Sequence, residues 1–153
     1  MFQRVPKPVT AVIVMAAGVV GCASSPPERF TRTASEFTPC SSAPHCVSSQ
    51  ADEQGGQYVQ PFAFAGTADG ARQALLKAIY SHDNATVERA DERFIHASFR
   101  SMLGFVDDMT FVVQPRDHII DVKSSSRIGY YDFGVNKRRV ETLREELKAE
   151  LRR

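Results

Sequence analysis

Val122-Lys-Ser-Ser-Ser-Arg-Ile-Gly-Tyr-Tyr-Asp-Phe-Gly-Val-Asn-Lys-Arg-Arg139 is the stretch where this chain changes from strand to helix. It opens with the alternation of a β-strand, breaks at Gly129 and Gly134, and closes on the first turn of a C-terminal helix. Behind it lie strands and ahead of it lies a single helix. That helix is predicted from about Asn136 to Leu151, with Val140, Leu143, Leu147 and Leu151 as its apolar stripe.

Working back from Val122, residues 118–124 set Ile120 and Val122 against Asp121 and Lys123. Residues 108–114 put Met109, Phe111 and Val113 on one face. Residues 94–101 place Ile95, Ala97 and Phe99 together, with His96, Ser98 and Arg100 opposite. A weaker run at 85–90 makes a fourth strand. Pro115-Arg-Asp117 is short enough for a hairpin turn, and its Pro and Asp suit one. Before the strands, Thr67 or Asp69 can cap a helix to about Ser81, with Ala71, Ala74, Leu75, Ala78 and Ile79 as its buried stripe. Tyr58 to Phe62 reads as a short edge segment, because Pro61 cannot donate to a ladder. The fold class is therefore α+β: an antiparallel meander of about four strands, packed on one face by an N-terminal and a C-terminal helix. The opposite face should be wet and carry His96, Ser98, Arg100, Asp121 and Lys123.

The N-terminus is of a different kind. Arg4 and Lys7 precede an apolar run from Val9 to Val20. At about 12 residues it falls short of the roughly 20 that span a bilayer, and it has the flanks of an export signal. Val19-Val20-Gly21-Cys22 resembles a bacterial lipobox. That resemblance implies removal of residues 1–21 as a lipoprotein signal peptide and lipid, palmitate included, on the Cys22 sulfur. Ala23 after the cysteine then implies sorting to the periplasmic face of the outer membrane. Residues 22–38, rich in Ser, Thr and Pro, form a flexible tether, and 39–153 a single domain. Two of the three cysteines remain, and in an oxidising compartment Cys40 and Cys46 are expected to pair. A redox-active thiol pair or a metal site is the alternative there. Five intervening residues do not match the usual spacing of a zinc pair, and His82, His96 and His118 show no ligand pattern. No metal and no cofactor is implied. Processing would remove two of the 19 basic residues and none of the 18 acidic ones. A balance so near neutral points neither to nucleic acid nor to an anionic membrane surface as a partner.

A meander brings the end of its second strand, the start of its third and the end of its fourth to one rim. Arg100, Ser101, Asp107, Asp108, Ser126 and Arg127 would gather there, followed by Asp132, Asn136 and Arg139. Lys137, Arg138 and Arg139 occupy the first turn of the last helix, where the macrodipole already makes the surroundings positive. Something negative should compensate. Either Asp107, Asp108 and Asp132 pair with these cations and with Arg127, or an external phosphate or carboxylate sits on the turn's free N–H groups. Asp107 and Asp108 point to opposite faces if both lie in a strand, which argues against a shared-proton dyad. Ser124, Ser125 and Ser126 lack the nucleophile-elbow pattern.

Three stretches carry a resemblance. Cys40-x5-Cys46-Val-Ser-Ser-Gln50, Arg100-Ser-Met-Leu-Gly-Phe-Val-Asp-Asp108 and Ser124-x-Ser-Arg-x-Gly-x-x-Asp-x-Gly-x-Asn136 resemble the family called domain of unknown function 1499. The resemblance covers about 39–151 and implies no activity. Its pattern has an acid where this chain has Thr110, and arginine where this chain has Lys137. Two readings of function follow. One is a lipid-anchored envelope protein held to the membrane through Cys22, binding an anionic ligand or an envelope partner protein at the Arg/Asp rim. The other is a periplasmic hydrolase or thiol enzyme using that rim or the Cys40/Cys46 loop.

Overall fold

The computed structural model describes residues 38–153. The expected signal peptide, Cys22 and all but the last residue of the tether lie outside the described residues. Eight elements follow in order: β1 (Cys46–Ser48), β2 (Phe62–Ala63), α1 (Ala68–Tyr80), β3 (Ala85–Ala90), β4 (Phe94–Arg100), β5 (Val106–Gln114), β6 (Ile119–Ser126) and α2 (Val135–Leu151).

Strands β3 to β6 form the expected antiparallel meander. The sheet has six strands, however, and not four. Both β1 and β2 pair antiparallel with the outer edge of β6, β1 against Lys123–Ser125 and β2 against Ile119 and Ile120. Segments of three and two residues are too short to show a period, so their sequence could not reveal them. What makes them strands is the row of unpaired backbone groups that β6 offers them.

Helix α1 begins at Thr67, whose hydroxyl accepts from the Gly70 N–H at 3.0 Å. Its stripe of Ala71, Ala74, Leu75, Ala78 and Ile79 is buried, as is that of α2 at Val140, Leu143 and Leu147. These stripes meet Ala97, Phe99, Met109, Phe111, Val113, Ile120 and Val122 from one face of the sheet. Each fully buried side chain of this size contributes about 1.5–3 kcal/mol relative to exposure. The core therefore lies between two helices and a single sheet face.

The second face is a correction. It is polar as expected, yet His96, Asp121 and Lys123 are only 3%, 7% and 5% exposed, and of the five residues expected to be wet only Arg100 is exposed. Most of its polar groups are joined to neighbours. Asp121 accepts from Ser49, Gln50 and Gln114, Ser98 donates to Glu88, and the Lys123 ammonium donates to the Thr38 carbonyl. Alternation reports polarity, whereas exposure depends on what lies across and above the strand.

Candidate functional site at one end of the sheet

The register fixes which residues share this end. Arg100 faces Val106, Asp107 faces Ser126, and the Arg127 N–H donates to the Val106 carbonyl at 2.9 Å. The β4–β5 and β6–α2 connections therefore leave the sheet side by side. Two charged clusters form behind them, one on each face.

Asp107 turns toward the helices. Its carboxylate pairs with Arg139 of α2 at 2.8 Å and accepts from the Ser126 hydroxyl at 2.5 Å. The Arg139 guanidinium also lies 5.0 Å above the centre of the Phe99 ring. One turn earlier, the buried Asn136 amide nitrogen lies 2.9–3.0 Å from Asp132 Oδ2, Ser126 Oγ and the His45 carbonyl. The Ser124 hydroxyl donates to Asn136 Oδ1. His45 belongs to the loop closed by the Cys40–Cys46 disulfide, with Cα atoms 5.6 Å apart, so a covalent loop presents the carbonyl that α2 recognises.

The start of α2 answers the macrodipole question internally. Gly134 precedes the helix in a left-handed conformation (φ 75°) and has no side chain to cap it. Asp132 does so instead, accepting from the Gly134 N–H at 2.9 Å and the Asn136 N–H at 2.8 Å. Burial alone would raise the Asp132 pKa. The donors from Asn136 and Gly134 outweigh it and hold the carboxyl below its ordinary value. A negative group thus already occupies the turn, while Lys137 is exposed and Arg138, also exposed, folds back to donate to the Phe133 carbonyl at 2.8 Å.

Asp108 turns the other way and is fully buried. Arg127 grips it with two parallel bonds, Nε to Oδ2 and Nη2 to Oδ1, both 2.8 Å. His96 Nε2 lies 2.9 Å from Oδ1. Burial pushes this carboxyl up in pKa, but the bonds and charges of Arg127 and His96 outweigh that and leave it below the ordinary value. Arg127 is raised, first by its bond to Asp108 and further by the charge of Glu88. On the same face the Thr110 hydroxyl is buried with no partner among the described residues. It stands across from His96 on one side and Lys123 on the other, where a carboxylate would find both.

The predicted rim is therefore divided. Asp107, Ser126, Asp132, Asn136 and Arg139 are together on the helix face, and Asp108 and Arg127 on the other. Arg100 joins neither; it is exposed, donates to the Gly104 carbonyl at 3.3 Å, and lines an open cleft of about 680 Å³ with His82, Asp83 and Met102. Sequence reasoning missed His96 as a partner of Asp108, although their spacing across a meander held the signal. Asp107 and Asp108 cannot share a proton from opposite faces. Among the described residues no group of three or more His, Cys, Asp or Glu side chains is placed to hold a metal ion.

A family model described as a protein of unknown function, DUF1499, matches residues 36–147. The chain belongs to the DUF1499 family. None of the curated proteins matches it. The match spans every strand, α1 and most of α2, so it covers the domain as folded. The three stretches that carry the resemblance in this DUF1499 chain are the disulfide loop, the β4–β5 hairpin and the β6–α2 connection. They meet at one end of the sheet, tied by Asn136 to His45 and by Arg127 to Val106.

The two connections of this DUF1499 domain also leave large apolar side chains facing solvent at that end. Met102, Leu103 and Phe105 in the first connection, and Ile128, Tyr130, Tyr131 and Phe133 in the second, are all more than half exposed. Tyr131 and Phe133 touch edge to face, 5.1 Å between centres.

Proposed function

We propose that the protein is a lipid-anchored module of the cell envelope, attached through Cys22 at the periplasmic face of the outer membrane, that acts by binding rather than by catalysis. The observation that carries this reading is the division of labour at the sheet end. The carboxylates Asp107, Asp108 and Asp132 are committed to Arg139, Arg127 and the helix start, while the two connections present large apolar side chains outward. The charged clusters hold two connections in place, and the connections meet the partner. A hydrolase or thiol enzyme would need a reactive group open to solvent. The two strand carboxylates are buried, and Cys40 and Cys46 are joined to each other.

A photo-crosslinking amino acid at Leu103 or Tyr130 tests the reading in intact cells, with Arg116 in the opposite β5–β6 turn as the control. Adducts to protein or lipid from the first two positions, and none from the third, are expected. Absence of adducts at all three, together with ester or phosphoester turnover that Asp108→Asn abolishes, would overturn it. The anchor has its own check: Cys22→Ser should move the protein from the membrane to the soluble fraction.

A further inference from the structure

We propose that the β4–β5 and β6–α2 connections form a membrane-contacting surface whose apolar tips enter the interface of an anionic bilayer. The inference rests on the binding reading above and names the partner of that same end. Met102, Leu103 and Phe105 in one loop and Ile128, Tyr130 and Phe133 in the other are each at least half exposed, on loops whose roots are joined by the Arg127–Val106 backbone bond. Exposed apolar residues scattered singly need no explanation, but a group of this size at one end of a small domain does. The opposite end makes the contrast. Its β3–β4 and β5–β6 turns carry Asp91, Glu92, Arg93, Pro115, Arg116 and Asp117, and no large apolar side chain stands exposed among them.

Charge selects a lipid surface over a neutral apolar partner. The exposed charges flanking these loops are Arg100, Lys137 and Arg138 against Asp83 and Glu88, a small cationic surplus around an apolar tip. Of the nearby carboxylates, Asp107 and Asp108 are already paired with Arg139 and Arg127, and Asp132 is held by the N–H groups of the helix start. Aromatic rings with a polar edge favour the level of the headgroups, and cations beside them favour anionic lipid. Such a surplus strengthens binding by roughly fivefold per Lys or Arg on an anionic leaflet. A lipid on Cys22 would hold the domain near the bilayer by a tether of about 16 residues, whose extended reach is on the order of 50 Å. A tether of that length leaves orientation open. Insertion of the two loops would set it, turning the sheet end toward the lipid and the opposite turns away.

The chain contains no tryptophan, so a single introduced one reports without background. The full-length chain carrying Tyr130→Trp, Phe105→Trp or, as control, Arg116→Trp is placed on vesicles of phosphatidylglycerol and phosphatidylcholine with brominated acyl chains. For the first two, emission should move to shorter wavelength and be quenched severalfold, with quenching weakened in phosphatidylcholine alone; the control should not change. An unquenched reporter at either loop position overturns the proposal, as does equal quenching of all three variants. Unquenched reporters alongside crosslinks to a protein from Leu103 and Tyr130 would sink the bilayer and leave the binding module standing. Unquenched reporters with no crosslinks would sink both.

Discussion

Asp107 and Asp108 are neighbours in sequence and opposites in the fold. The first reaches across to α2, where Arg139 is 13% exposed and has the Phe99 ring as a second partner. The second sits wholly inside, bound by Arg127 and His96, with no exposed surface of its own. The difference teaches that a buried ion pair is judged by what its loss would strand. On the helix face the surviving cation keeps the Phe99 ring, whereas on the other face Arg127 and His96 both lose the one acceptor they share.

The largest expected effect is accordingly at Asp108. Asp108→Ala leaves Arg127 and His96 without their shared acceptor and should cost about 3–5 kcal/mol, read from urea unfolding. Asp107→Ala should cost about 1–3 kcal/mol, because Arg139 keeps the Phe99 ring as a partner. Equal losses would break the comparison.

Acid sharpens it. The folded Asp108 carboxyl titrates below its ordinary value near 3.8. Between those two values the unfolded chain binds the proton and the folded one does not. Its contribution to stability is therefore complete above about pH 4 and is lost as pH falls through the folded pKa. Asp108→Asn, where it folds, should flatten the fall of stability below pH 4; a curve parallel to that of the parent protein would count against the clamp. Asp132 is depressed in the same direction, so adding Asp132→Asn should flatten the curve further.

A smaller effect is expected at the helix start. Asp132→Ala removes the only negative group accepting from the first N–H groups of α2 among the described residues and should cost about 1 kcal/mol. Hydrogen exchange at Asn136 and Lys137 should accelerate, whereas the amides of β4 and β5 should not. The smallest effect belongs to the loops. Leu103→Ser lies outside both clusters and should change thermal stability by no more than about 0.5 kcal/mol. A large loss there would mean that the exposed tips pack within the fold after all.

Much of the frame was legible in the chain. The alternation at Ile95, Ala97 and Phe99, and again at Met109, Phe111 and Val113, needs only the two-residue period of a strand. The 3–4 spacing of Val140, Leu143 and Leu147 needs only that of a helix. The divergence of the adjacent aspartates was legible for the same reason. The pairing of β1 and β2 with β6 was not, because it is made by an edge that exists only once β6 has joined the sheet.

The sequence by itself determined the α+β meander, the helix stripes and the cysteines available to pair, since all of these follow from local period and residue chemistry. Only the tertiary structure decided that the polar face would be closed, that Arg100 would stand apart, and which carboxylate would answer which cation. Those outcomes depend on distances between side chains far apart in the chain. A two-residue period reports the direction of each side chain but not what it meets.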